Sequence, residues 1–366
     1  MIKGKATPEG TAAYAKKHPG AHERHWKSAL GLTLSSVGMG SYLGNADPIT
    51  DGKYSAALVM ALDTGINVFD SAINYRYQRS ERNLGAGLRK AVDAGTVTRD
   101  QVLLCTKGGF IAGDMGPPTK EWFEETFVKP GVITAADFVA GSHCMAPRYL
   151  RHEVEQSLRN FDVETIDVYY VHNPETQMPV VGETEFYARL TAAFRELEAC
   201  ASEGKIQVYG AATWHAYRVG PAHESALSLE KTIACAEAAG GKDHHFRVLQ
   251  FPFNFGLPEA LSHPSQEVGG RKLPVIDAAL GAGLTVFTSV PLMQGQLLGR
   301  FGPDFRTKFP GLKTDAQRCL QFVRSTPGVT APLCGMKDLA HVEENGALCA
   351  TAPFTIEEFN ALIGRV

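Results

Sequence analysis

A short cassette recurs along this chain: a stretch with helical period, a glycine, then an apolar run of strand length. Gly65 leads into residues 66–70, Gly204 into 206–210, Gly283 into 284–288 and Gly328 into 329–333. Glycine takes the left-handed conformation that ends a helix at no steric cost. A short apolar run behind such a stop reads as a buried strand. Runs of the same character cover 101–106, 166–171 and 246–251, and residues 32–42 read as one first strand ending near Gly40. Between the runs, apolar residues fall on one helical face, as at Leu84, Leu88 and Ala91, at Leu150, Val154, Leu158 and Phe161, and at Phe186, Leu190, Ala193, Phe194, Leu197 and Cys200. Strands buried on both sides, alternating with amphipathic helices, predict an α/β chain with its parallel sheet closed into a (β/α)8 TIM barrel. An open doubly wound sheet would need a phosphate-binding glycine turn. Gly38 and Gly40 have its first spacing, but the next glycine, Gly44, falls one place too late.

At 366 residues the chain is long enough for one barrel with insertions, and no linker rich in Pro, Gly or Ser divides it. We read residues 31–366 as a single barrel domain behind a polar N-terminal arm, 1–30, whose His18, His22 and His25 are expected to be solvated. Residues 108–147, with Gly116-Pro117-Pro118 and Lys129-Pro130-Gly131, are too long for a simple connection and read as an insertion over the barrel mouth. Basic and acidic residues nearly balance, 36 against 39, which argues against nucleic acid as a partner. Seven scattered cysteines form no CxxC pair and read as core thiols of a reducing compartment. Residues 1–8 lack the apolar core of a signal peptide, and no run is long and apolar enough to cross a bilayer, so a cytoplasmic protein without membrane partners is expected. No metal site is expected: His244 and His245 are adjacent rather than spaced as ligands, and nothing completes a cluster around the N-terminal histidines.

A barrel of this kind does its chemistry at the C-terminal ends of its strands. That rule selects Asp70 at the end of the second strand with Tyr75 just beyond, Lys107 at the end of the third and His172 at the end of the fourth. A lysine or histidine closing an apolar strand needs a partner. Together the four make a plausible acid catalyst. A free phenol, with a pKa of about 10, is a sluggish donor at neutral pH, and the Lys107 cation would favour the phenolate. Asp70 would hold the lysine charged, and His172 would orient a carbonyl oxygen. None of them supplies an electron pair, so reduction of a carbonyl needs a hydride donor such as a nicotinamide cofactor. Tyr77, two residues beyond Tyr75, is a rival phenol.

The ordered set resembles the aldo-keto reductases. Asp70-Ser71-Ala72-Ile73-Asn74-Tyr75 is similar to that family's Asp-(Thr/Ser)-Ala-x-x-Tyr signature, and Ser80-Glu81-Arg82-Asn83-Leu84-Gly85 to its continuation. Lys107 and His172 match the rest of its catalytic tetrad, Pro291-Leu292-Met293-Gln294-Gly295 its seventh-strand element, and Glu344-Asn345 its late Glu-Asn pair. The resemblance implies a barrel that binds NADPH across its mouth, with NADH possible, and reduces a small-molecule aldehyde or ketone. It implies cofactor contacts from Gly40, Ser41, Tyr42 and Asp70, from Thr213 and Gln250 at the carboxamide, from Ser289 under the ring, and from Pro291, Leu292, Gln294 and Gly295. Lys337 and His341 would stand in for the usual Lys-Ser and Arg at the 2′-phosphate, beside Glu344 and Asn345. The chain departs from the pattern at Ala212-Thr213, where Ser-Asn is usual, and at Arg76, where a glycine usually follows the tyrosine. The resemblance extends to channel β-subunits, which use a nicotinamide-bound barrel mainly for interaction, and that is the alternative function.

Overall fold

The computed structural model describes residues 1–364. Eight parallel strands close a barrel in chain order: β1 (Gly38–Gly40), β2 (Val68–Asp70), β3 (Leu103–Gly108), β4 (Ile166–His172), β5 (Ile206–Ala212), β6 (Phe246–Pro252), β7 (Thr285–Ser289) and β8 (Val329–Gly335), which pairs back to β1. Every residue of β4 is buried. Val168 and Tyr170 join the core inside the barrel, while Tyr169 and Val171 join the core under the helices. That alternation explains why a strand covered on both faces reads as a nearly unbroken apolar run. The apolar stripes read from the sequence are the buried faces of helices Arg79–Asp93, Pro147–Phe161 and Glu183–Ser202. Helix Pro48–Thr64 starts on Asp47, whose carboxylate accepts from Thr50 N at 2.7 Å, and stops at Gly65, φ +100°.

The first strand differs from the expectation of one run over 32–42. Leu32–Ser35 pairs antiparallel with Trp26–Ala29, and only Gly38–Gly40 enters the barrel. The hairpin turns on Leu30 and Gly31, both at positive φ, as a two-residue turn demands. A leucine is a poor signal for that conformation, which is why the turn does not show in the sequence. Leu32 and Leu34 then plug the N-terminal end of the barrel against Val68, Leu103, Val168 and Phe287.

Residues 1–30 are also not solvated as expected. Helix Pro8–Lys16 buries Tyr14, whose hydroxyl donates to the carbonyls of Leu62 (2.6 Å) and Ile66 (3.1 Å). Ala6 N donates to the buried Asp167 at 2.7 Å. His25 is buried between Ser36 Oγ and Gly65 O, at 3.0 and 3.1 Å, and burial pushes its pKa down to about 4. His18 and His22 are half-buried. A neutral imidazole with both nitrogens engaged is as acceptable in a core as an apolar ring.

The insertion after β3 starts at Gly109, where φ is +146° and a Cβ would lie 2.9 Å from His172 O. Only glycine allows that approach. The segment folds on its own small core of Phe127, Ile133, Cys144 and Tyr149, and Tyr149 Oη donates to Phe110 O at 2.9 Å. Of residues 108–147, Phe110 is the one that lines the central cleft.

Candidate active site

Three of the four selected side chains leave the barrel at one rim. Asp70 and His172 are the last residues of β2 and β4, and Lys107 is the next to last of β3. Tyr75 lies in the turn that follows β2. That turn is pinned to β3 by Ile73 N donating to Lys107 O at 3.1 Å. Lys107 Nζ sits 2.5 Å from Asp70 Oδ2, donates to Ser71 O at 2.6 Å, and lies 5.0 Å from the centroid of the Tyr75 ring. The other oxygen of Asp70 accepts from Gln250 Nε2 at 2.8 Å. A carboxylate only accepts, so Gln250 must turn its NH2 to Asp70 and has its carbonyl oxygen left for other partners. The His172 ring packs 5.8 Å from Tyr75 and 5.1 Å from Phe110, both edge to face.

The electrostatics follow from burial around one ion pair. Lys107 is 1 % exposed, so it acts on a ligand only through its field and its neighbours. Burial opposes its charge, but Asp70 and Tyr75 outweigh that and raise its pKa. Burial likewise pushes the Asp70 carboxyl up, against the pull of Lys107 and Gln250. The Tyr75 phenol is also raised. Burial is the larger effect, and Lys107 pulls against it through its charge and a hydrogen bond. Lys107 favours the phenolate as expected, but burial outweighs it, and the expected net lowering of the phenol is corrected. Burial, Lys107 and His143 hold His172 well below the usual imidazole range, so it is neutral at pH 7. Its Nδ1 is buried with no partner among the described residues. His143 Nε2 lies 2.8 Å from His172 O, and its Nδ1 faces the amide nitrogen of Gln177 at 3.1 Å. Gln177 can only donate there, so His143 carries its proton on Nε2 and ties the insertion to the end of β4.

These groups open on a cleft of about 800 Å³ that runs over the C-terminal rim. Gly40, Ser41, Tyr42 and Asp70 line it beside Tyr75 and His172; Thr213, Gln250 and Ser289 line its floor. Pro291, Leu292, Gln294 and Gly295 line the segment after β7, and Lys337, His341, Glu344 and Asn345 the far end after β8. Tyr77 is not among the lining residues. Among the described residues, Asn345 donates to the sulfurs of Cys334 and Met336 alone, and its Oδ1 is buried without a partner. Lys337 is less free than its sequence position suggests. Its Nζ is 3.5 Å from Asp338 Oδ2, and Lys53 holds the other oxygen of that carboxylate at 2.6 Å.

Sequence reasoning missed several lining residues. Trp214 follows Thr213 directly and is an exposed ring there, 40 % accessible, and Leu43 follows Tyr42. Phe110 and Asn74 belong to segments already singled out, so their position next to a selected residue was the available signal.

The match that decides the family is a model of the aldo/keto reductase family, which fits residues 36–235. The chain belongs to the aldo/keto reductase family. Among curated aldo/keto reductase relatives it is 27% identical over 191 residues to the NADH-specific methylglyoxal reductase of Escherichia coli, covering 50% of this chain and 49% of that one. It is 23% identical over 271 residues to a probable voltage-gated potassium channel subunit beta of Oryza sativa, covering 74% and 64%. The chain thus spans about half the length of the curated reductase it matches. A solved aldo/keto reductase from Klebsiella pneumoniae, in complex with NADP and acetate, superposes with a TM-score of 0.61 at 19% identity over 93% of this chain and 94% of that one. At that identity the likeness shows the shared (β/α)8 fold.

Proposed function

We propose that this aldo/keto reductase is an NAD(P)H-dependent oxidoreductase that reduces an aldehyde or ketone to an alcohol, with Tyr75 as the general acid. One observation carries the reading: the Asp70–Lys107 pair, Tyr75 and His172 meet at one end of a cleft of about 800 Å³. The rest of that cleft suits an extended dinucleotide. Its far end offers Asn345 Oδ1, a buried acceptor without a partner among the described residues, and the cation of Lys337. Its floor offers the free carbonyl oxygen of Gln250, beside Thr213 and Ser289. Gly40, Ser41, Tyr42, Pro291, Leu292, Gln294, Gly295, His341 and Glu344 would complete the cradle.

When bound, a reduced nicotinamide supplies the hydride. Tyr75 then donates the phenolic proton to the oxygen that gains negative charge. Lys107 stabilises the phenolate left behind, and Asp70 keeps Lys107 charged and pointed at the ring. Neutral His172 serves as a hydrogen-bonding group for the carbonyl oxygen rather than as a second acid. Tyr42, Phe110 and Trp214 wall the cleft with aromatic surface. Seven buried free thiols suit a reducing compartment such as the cytoplasm.

The longer match to a channel subunit favours a second reading, a nicotinamide-binding interaction module. Turnover separates the two. Purified protein is incubated with NADPH or NADH and a panel of simple aldehydes and ketones. Saturable cofactor oxidation that depends on the carbonyl supports the reductase; cofactor binding without turnover supports the module.

A further inference from the structure

Arg76 occupies the place after Tyr75 at φ +51°, followed by Tyr77 and Gln78 at positive φ as well. A non-glycine residue in that region is uncommon and carries strain, so its side chain should return something. The side chain is 3 % exposed and held through Nε and Nη2, while Nη1 is buried with no hydrogen-bond partner among the described residues. Nε donates to Asn45 O at 2.8 Å, and Nη2 donates to Asp51 Oδ1 and reaches Asp47 O at 3.5 Å. Asp51 is itself held by Arg79 Nη1 at 2.6 Å and Asn83 Nδ2 at 2.7 Å. The guanidinium also lies over the Tyr54 ring, 5.2 Å from its centroid, and Tyr54 Oη donates to Leu43 O at 2.5 Å. Three carbonyls of the 41–47 loop, those of Leu43, Asn45 and Asp47, are thus tied back through one cation and the ring beneath it. That loop carries Tyr42, whose ring meets Tyr75 edge to face at 4.9 Å.

We propose that Arg76 is a positioning residue, clamping the 41–47 loop onto the Tyr75 turn and so fixing the Tyr42–Tyr75 ring pair in the cleft wall. The fork of an arginine is what lets one side chain hold a carboxylate and a carbonyl together; lysine offers a single point. Arg76 is not a lining residue of the cleft, so it acts through the placement of Tyr75 and Tyr42 and not on the ligand. Its effect on turnover rests on the reductase reading. The clamp itself is a property of the fold.

The variants are Arg76→Gly and Arg76→Lys. Glycine relieves the positive φ, so Arg76→Gly removes the clamp without adding backbone strain. Two measurements are made on each: steady-state carbonyl reduction, and amide hydrogen exchange of residues 41–47. Arg76→Gly should lower kcat by about 10- to 100-fold, the cost of a misplaced reacting group. KM for the carbonyl should stay within about 3-fold of wild type, because no ligand contact is lost. Exchange over 41–47 should quicken about 10-fold with the loss of hydrogen bonds from a charged donor. Arg76→Lys should fall between wild type and Arg76→Gly in both, a graded rescue that a merely stabilising role would not give. Unchanged kcat with unchanged exchange in 41–47 overturns the proposal, as does a rise in KM alone. If Arg76→Gly does not fold, Arg76→Lys decides by the same two readouts. If the wild type reduces no carbonyl, the reductase reading fails by itself, and the exchange of 41–47 in the two variants alone confirms or overturns the clamp.

Discussion

Lys107 Nζ lies 2.5 Å from Asp70 Oδ2, and both side chains are buried at the ends of adjacent strands. The pair draws a second hydrogen bond from Gln250 across the barrel, from β6 to β2. Removing one buried partner leaves the other charge unpaired, which costs about 3–5 kcal/mol. Lys107→Met should therefore lower stability by roughly that amount, as read by denaturant unfolding. It should also deprive the Tyr75 phenolate of its cation. Alcohol oxidation, which needs the phenolate, should then lose activity at neutral pH and recover only at more alkaline pH. An oxidation profile with its midpoint where the wild type has it would assign the lysine another role.

Tyr75→Phe keeps the ring against Tyr42 and His172 and removes only the proton donor. Turnover should fall by about 10²–10⁴-fold, the range of general acid–base groups, with cofactor affinity nearly unchanged. Tyr77→Phe should be near normal, since Tyr77 does not line the cleft. The reverse pattern of kcat in the two variants identifies Tyr77 as the acid.

Much of this arrangement is legible in the chain because it depends on local signals. Gly65 and Gly283 mark helix ends through a conformation glycine adopts freely, and the apolar runs behind them are strands because both faces are covered. Asp70, Lys107 and His172 could be selected because a strand's last residue is predictable once the run is recognised. What escapes is what depends on contacts far apart in sequence. Leu30 turns a hairpin against its own preference because Leu32 and Leu34 have a barrel end to fill. His25 looks solvated until Ser36 and Gly65 close around it. Asp338 beside Lys337 reads as a neighbour, and its second partner, Lys53, comes from another helix.

That last arrangement bears on cofactor choice. Asp338 shares the cations Lys53 and Lys337, with a carboxyl held below its ordinary value first by Lys53. If Lys337 meets the 2′-phosphate, Lys337→Ala should lower kcat/KM for NADPH against NADH by about 3- to 10-fold, the size of a partly screened charge contact. Asp338→Asn should shift the ratio toward NADPH. The ratio is read from kcat/KM with each cofactor. A strong NADPH preference that survives Lys337→Ala places phosphate recognition elsewhere.

Glu175 links the loop after β4 to the loop after β5. Its Oε1 accepts from Trp214 N at 2.6 Å and His215 N at 3.1 Å, while Oε2 is buried without a partner among the described residues. Burial pushes its carboxyl up to about 7, against those hydrogen bonds and the charge of Arg218. In the unfolded chain the value is about 4.3. The native state therefore binds this proton more readily, and its contribution to stability is full below about 4.3 and lost as pH rises through 7. Glu175→Gln keeps an acceptor for both amides and removes the titration. Across that window wild type should lose stability relative to Glu175→Gln by up to about 1.4 kcal/mol per pH unit. Unfolding midpoints at pH 5 and pH 8 check it, and parallel curves for the two proteins contradict it.

The central claim is that the cleft carries out hydride transfer to a carbonyl while Tyr75 supplies the proton. The most direct measurement uses NADPH or NADH deuterated at C4 of the nicotinamide, with an aldehyde that the wild type turns over, and mass analysis of the product. One deuterium is expected on the carbinol carbon of the alcohol, delivered from one face of the nicotinamide only, with little labelled product from Tyr75→Phe in the same time. An alcohol without deuterium from either face, or equal labelled product from wild type and Tyr75→Phe, contradicts it.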